Sequence, residues 1–330
     1  MACRSKIFAN SSVFLAQSSN TIVAIAATRY GLRMPATLLE TARRYADANA
    51  DATGVARTPL PGLAILRETR PTPLQYAISR PLVALVLQGR KQVAMGSSSY
   101  DFGAGESLLI TAEVPTVSQI TRASLAEPYY ACVVELDPAT IASLVTEMGA
   151  APFAMGAPVR VDPTEAEVAD TADRLIRLLD RPSSVPVLGP QLLRELHYWL
   201  LSGRHGGAMR ALGVTDSHAR RVGRAVARIR SDFAKPLRVE QLAETAGMSL
   251  SAFHVHFRAI TSLTPLQFQK QLRLIEARRL LLAEGATIGR AASAVGYESV
   301  PQFTREYGRM FGMPPGKDLK ETRQRLISAA

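Results

Sequence analysis

The sequence predicts an α+β protein, with a small antiparallel β-barrel and flanking helices in front and an all-α domain with two helix-turn-helix motifs behind. Three observations carry this. From about residue 62 to 137, short β-branched and apolar runs are broken at hairpin intervals by Gly and Ser clusters. From 215 onward, apolar residues recur at helical spacing. Within that stretch a helix–Gly–Ser–helix unit occurs twice, offset by 49 to 50 residues.

The chain has 330 residues, room for about two domains, and 47% are hydrophobic, which is ordinary for a globular protein. No apolar run reaches the ~18 residues needed to span a bilayer, so a membrane is not an expected partner. The only cysteines are Cys3 and Cys132, which excludes a disulfide framework and fits a reducing cytoplasm. At the N-terminus, Arg4 and Lys6 precede "VFLAQSSNTIVAIAA", a faint signal-peptide pattern that Gln17 to Thr21 splits in two. The alternatives for residues 1–35 are a disordered arm or a start assigned too early, with Met34 the natural beginning.

The elements follow in order. Residues 36–50 form an amphipathic helix, which "ATGVARTPLPGL" ends with Gly and Pro. The segment "PLVALVLQGRKQVAMGSSSYDFGAGESLLI" reads as a hairpin meander, and "TVSQITRAS" and "PYYACVVELD" add two strands. Helix returns at 138–148, 164–180 and 186–203. Val168, Ala172, Leu175, Leu178 and Leu179 make one apolar stripe, and Leu192, Leu193, Leu196, Trp199 and Leu200 another. These stripes suggest a helical dimer interface, or else packing against the barrel. "TDSHARRVGRAVARIRSDF" opens the last third with Thr215 as the expected N-cap.

The repeated units are "VEQLAETAGMSLSAFHVHFRAITSLTP" and "TIGRAASAVGYESVPQFTREYGRMFGMPP". Ala243 aligns with Ala292, Gly247 with Gly296, Phe253 with Phe303 and Phe257 with Tyr307. Each unit predicts a short helix ended by a left-handed Gly, then a Ser-capped second helix with an i, i+4 aromatic face. The alanine four residues before the glycine lets the two helices approach closely. In a helix-turn-helix the second helix enters the DNA major groove. Residues 265–282 form the connecting helix, roughly 27 Å long, close to the ~34 Å repeat of B-DNA. Charge points the same way. Residues 215–330 hold 19 Lys and Arg against 10 Asp and Glu, while residues 1–214 hold 20 against 18. A basic last third on a nearly neutral body suits a polyanionic partner.

His254-Val255-His256 could chelate a metal from a strand, where i and i+2 share a face. On a helix the two side chains diverge by about 200°, so the pair is not read as a metal site.

On these motifs the last third resembles the AraC-type transcription regulator domain, through "LAETAGMSLSAFHVHFR", "TPLQFQKQLRLIEARRLLL" and "AASAVGYESVPQFTREYGRMFG". The resemblance implies seven helices with two helix-turn-helix motifs joined by a long helix. It places base reading at Ser251, His254 and Val255, and at Val300, Pro301, Gln302 and Arg305, with Ser249 beside the first group. Val255 stands where the family often has a polar residue, so its readout would be apolar, of a thymine methyl. Val300 and Pro301 also lack donors, and "PPGKDLK" replaces the Tyr-Arg that often ends the family's domain. Phosphate contacts are expected from some of Arg258, Lys270, Arg273, Arg278, Arg279, Arg305 and Arg309. Arg273 has a rival role, holding the two subdomains together, which the resemblance also implies.

The front half resembles the cupin-like N-terminal domain of one AraC-type subfamily, best at "LVLQGRKQV" and "YDFGAGESLLI". Cupin enzymes hold a metal with histidines on barrel strands. Here all five histidines, at 197, 205, 218, 254 and 256, lie outside the barrel. No metal, cofactor or catalytic residue is therefore expected. A cysteine-poor front also argues against a DNA-alkylation repair protein with this type of C-terminal domain. Cys132 is either a thiol sensor or a small buried hydrophobe.

The boundaries expected are 36–160 for the cupin-like regulatory domain, 161–212 for a helical linker or dimerisation segment, and 213–325 for the DNA-binding domain. The function expected is a cytoplasmic, sequence-specific transcription regulator; the rival is a cupin-like enzyme with a DNA-binding tail. Expected partners are double-stranded promoter DNA, RNA polymerase, a small-molecule effector and a second copy of the chain.

Overall fold

Strand β4 (Leu82–Gln88), sequence LVALVLQ, is apolar at nearly every position because both of its faces are covered. Val83, Leu85 and Leu87 face one core, while Ala84 and Val86 face another. In this computed structural model, which describes residues 36–96, 98–149, 158–214 and 216–327, β4 is central to a six-stranded antiparallel sheet. Its order is β1 (Val55–Arg57), β2 (Leu63–Glu68), β9 (Tyr129–Glu135), β4, β7 (Glu106–Ile110) and β10 (Val159–Pro163). A second sheet has the order β3 (Gln75–Ser79), β8 (Val114–Arg122), β5 (Arg90–Met95) and β6 (Ser98–Gly103). Of the small antiparallel barrel or sandwich that the strand spacing allows, the described residues form two separate antiparallel sheets. Val86, Val93, Met95, Phe102, Ile120 and Tyr129 fill the space between them.

Five helices cover the other face of the larger sheet: α1 (Ala36–Asn49), α2 (Pro138–Met148), α3 (Ala166–Leu178), α4 (Val185–Ser202) and α5 (Gly206–Gly213). Asp137 caps α2, its carboxylate accepting from the Ala139 and Thr140 amides. The stripes that suggested a dimer interface are buried within the chain: Val168, Ala172, Leu175, Leu196 and Leu200 share one core with Leu85, Leu109 and Cys132. Sequence patterning missed α5, whose "GGAMRALG" carries glycines at both ends, and the short strands β1 and β10.

Behind these layers lie seven helices: α6 (His218–Ser231), α7 (Val239–Ala246), α8 (Leu250–Thr261), α9 (Pro265–Ala283), α10 (Ile288–Ala294), α11 (Val300–Phe311) and α12 (Pro315–Ile327). Ser217 caps α6, accepting from the Arg220 amide. Thr215, expected in that role, and the segment 1–35 lie outside the described residues. Two cores form on α9. Phe268 and Leu272 join Val226, Phe253 and Phe257 in the first, and Leu274, Ala277 and Leu281 join Phe303, Tyr307 and Phe311 in the second. The connecting helix thus turns its apolar side from one subdomain to the other along its length.

Candidate nucleic-acid interface

The two repeated turns close with the same hydrogen bonds. After α7, the Gly247 amide donates to the Glu244 carbonyl and Met248 to Ala243; after α10, Gly296 donates to Ser293 and Tyr297 to Ala292. This double bond pattern needs a left-handed residue at the glycine, and φ is +63° at Gly247 and +82° at Gly296. Ser249 and Ser299 then cap α8 and α11, accepting from the Ala252 and Gln302 amides at 3.3 and 3.4 Å. Ala243 and Ala292 are buried where the paired helices meet, and Phe253, Phe257, Phe303 and Tyr307 are fully buried. Arg221 and Arg224 reach from α6 to carbonyls of the first turn, Arg221 to Ala246 and Gly247 and Arg224 to Thr245 and Ala246.

With those faces committed to the cores, α8 presents Ser251, His254, Val255 and Arg258 to solvent, and α11 presents Val300, Pro301, Gln302, Arg305 and Arg309. Val255 is 67% exposed, an unusual placement for valine on a helix otherwise anchored by aromatics. Leu250 and Val300, at the starts of the two helices, are also exposed. The two histidines of "HVH" diverge as their helical spacing requires. His254 faces outward, whereas His256 stacks on His218 at the start of α6, with ring centroids 3.7 Å apart. Burial, aided by His218 and Arg221, holds the His256 imidazole below its ordinary pKa.

The seven basic candidates divide by partner. Arg278 forms a bidentate pair with Asp318 at 2.7 and 3.0 Å, and Asp318 also accepts the Tyr307 hydroxyl. Arg279 pairs with Glu276 and Glu284, and Lys270 with Glu306 at 3.0 Å. The Glu306 carboxyl, which burial would raise, is held below its usual range by hydrogen bonds from Tyr297 and Lys270. Arg273 donates to the Phe233, Lys235 and Gly296 carbonyls, joining the α6–α7 loop to the second turn. That is its expected rival role, as a tie between subdomains. Arg258, Arg305 and Arg309 remain exposed, and no hydrogen bond or ion pair engages their side chains among the described residues. Arg238, at the N-cap of α7, and Arg290, in the first turn of α10, are further exposed arginines that the sequence reading did not single out.

Residues 242–321 match a family model described as a helix-turn-helix domain, and residues 59–208 match one described as the AraC-type transcriptional regulator N-terminus. The chain belongs to the AraC-type transcriptional regulators. A putative AraC-like transcription regulator of Streptomyces lividans is 34% identical over 95 residues, covering 29% of this chain and 31% of the relative. The transcriptional regulator AlkR of Acinetobacter baylyi is 37% identical over 91 residues, covering 28% and 30%. The chain thus spans about a third of the length of these curated relatives. The structure of ToxT from Vibrio cholerae superposes with a TM-score of 0.52 at 12% identity, covering 78% of this chain and 93% of that one. That likeness is one of fold, and it includes both halves.

In this AraC-type chain the front domain holds the remaining candidates. Cys132 is fully buried among apolar side chains, and burial pushes its thiol up to about 12, so it packs as a small hydrophobe. His197 accepts the Asp137 amide on Nε2 at 3.0 Å, and His205 lies 3.0 Å from the Ser107 hydroxyl; both are buried. Among the described residues no group of three or more His, Cys, Asp and Glu could hold a metal ion. No helix among them is long and apolar enough to cross a membrane. Between the front sheets and α6 lies a cleft of about 510 Å³, lined by Pro81, Ala112, Leu136 and Leu212 on one side and Arg220, Val226 and Ile260 on the other.

Proposed function

We propose that this protein is a sequence-specific, DNA-binding transcription regulator whose front domain controls a double helix-turn-helix reader. One observation carries the reading: two turns with identical hydrogen bonding and serine caps stand at the two ends of a 19-residue helix. At 1.5 Å per residue that helix is about 28 Å long, so α8 and α11 can enter successive major grooves on one face of a duplex. Ser251, His254, Val255, Gln302 and Arg305 would meet base edges. Arg258 and Arg309 would meet phosphates, and Ser249 would hold the N-terminus of α8 at the groove while offering its hydroxyl hydrogen.

The front domain is proposed to answer to a small molecule. The structural neighbour ToxT was solved with an unsaturated fatty acid bound, and here the largely apolar cleft between the domains carries Arg220 and Arg224 on one wall and Glu113 and Glu135 on the other. A second copy of the chain and RNA polymerase are the protein partners proposed. Val187, Leu188 and Tyr198 of α4 stay exposed as a surface for the former. Such a regulator would act in the cytoplasm and carry no covalent chemistry of its own.

Selection from random-sequence DNA followed by titration across salt tests the reading. Affinity should fall steeply with salt as neutralised phosphates release counterions. Arg305→Ala should cost about 1–3 kcal/mol and relax preference at one base pair. Failure to enrich any sequence would overturn the proposal. Stoichiometric metal or substrate turnover in purified protein would favour the enzyme reading instead.

A further inference from the structure

Strand β3 is an edge strand, paired with β8 alone. Tyr76 and Ile78 stand two residues apart on it, so they share a face at a spacing of about 7 Å. They enter different cores. Ile78 packs against the core of the first helix-turn-helix subdomain, and Tyr76 against that of the second. The Tyr76 ring meets Phe311, the last residue of α11, edge-on at 4.7 Å between centroids. It also lies 5.5 Å from the guanidinium of Arg278, which is fixed by Asp318. One strand of the front domain therefore lies across the seam between the two reading subdomains.

Two further contacts brace the same side. Arg230 of α6 pairs with Glu113 at 2.6 Å, and Gly96, in the turn after β5, sits against Ser262, the residue that ends α8. Ser251, His254, Val255, Gln302 and Arg305 all stay exposed, so the front domain holds the reader without covering its reading residues. Within the reader the seam is tied by Arg273 of α9, which bonds to the Phe233 and Lys235 carbonyls on one side and to the Gly296 carbonyl on the other. Arg278 lies five residues beyond Arg273, about 140° around the helix. Tyr76 thus acts on a different side of α9 from the internal tie.

We propose that Tyr76 and Ile78 are positioning residues for DNA recognition: through β3 the front domain sets the separation and relative twist of α8 and α11, and so the operator spacing the protein accepts. This rests on the DNA-binding reading above. The strand pairs directly with β8, whose Val114 and Ile120 face the space between the sheets. A change inside the front domain that shifts β8 therefore moves the seam.

The test uses the full chain and a selected double-stranded fragment, with one base pair inserted or removed between its two groove segments. Each change alters the spacing by about 3.4 Å and about 35°. Wild type should lose about tenfold in affinity at either altered spacing, because a preorganised reader cannot follow both grooves. Tyr76→Ala should bind the native spacing about fivefold more weakly and discriminate the altered spacings less than about twofold. Tyr76→Phe, which keeps the ring contacts, should match wild type. If Tyr76→Ala does not fold, Tyr76→Leu, which keeps bulk in the core and loses the ring contacts, is read in the same way. Equal weakening at all three spacings, or unchanged discrimination, overturns the positioning role alone. Failure of wild type to bind any duplex overturns the reading beneath it as well.

Discussion

Gly247 and Gly296 occupy the same place in the two repeats, yet replacing each with alanine should have different consequences. Both are left-handed, and a Cβ in that conformation costs about 1–2 kcal/mol. At Gly247 the nearest atom a Cβ would meet is Arg221 Nη2 at 3.2 Å, the far end of a flexible side chain. At Gly296 the Cβ would overlap the backbone carbonyl oxygen of Ala234, in the loop whose neighbouring carbonyls accept from Arg273. Backbone must move there, which adds about 1–3 kcal/mol. Native-state hydrogen exchange read by peptide resolves the two motifs. Gly247→Ala should lower protection of the α7 and α8 amides by about 5- to 30-fold. Gly296→Ala should lower protection of α10 and α11 by a further factor of about 5 to 150. Equal losses, or a larger loss at Gly247, would refute the steric reasoning.

The exposed Val255 should read a thymine methyl: replacing thymine by uracil across the first groove segment should cost wild type about 1 kcal/mol. Val255→Ser should bind thymine and uracil fragments equally, and persistent methyl dependence in that variant would reassign the contact. Cys132 should resist alkylation in the folded protein near neutral pH and react after denaturation, because burial keeps it a thiol; rapid native labelling would contradict the packing described. Burial holds the His197 and His205 imidazoles below their ordinary pKa of about 6.5, so the unfolded chain takes up protons first. The front domain should then lose stability as pH falls through about 6.5, above the range where carboxylates titrate, and the loss should shrink in His197→Asn. A melting temperature flat between about pH 7.5 and 5.5 would count against this.

Much of the reader was legible from sequence because its determinants are local. A left-handed glycine, a serine three residues before the amide it caps, and aromatics four apart are complete within a dozen residues. The front strands were legible for a related reason: β-branched runs between glycines announce hairpins whatever they pack on. Their assembly was not. Alternation says that each strand has two faces, but whether the strands close into one barrel or split into two sheets depends on pairings such as β4 with β9. The short β1 and β10 and the glycine-flanked α5 lack the periodicity that would reveal them, and they form because neighbouring elements cover them.

By itself, then, the sequence determined the doubled motif, its caps, the basic last third and the absence of histidines from the front strands. Only the tertiary structure decided which charges are available. Arg278 and Asp318 stand 40 residues apart, so no local pattern shows that one candidate phosphate contact is committed to a buried pair. Arg305 is exposed because the aromatic face of its helix points the other way. The same holds for the front domain's hold on the reader. Tyr76 and Phe311 meet because a sheet edge and a helix end are folded together, and contact energy depends on distance in space, to which distance along the chain is no guide.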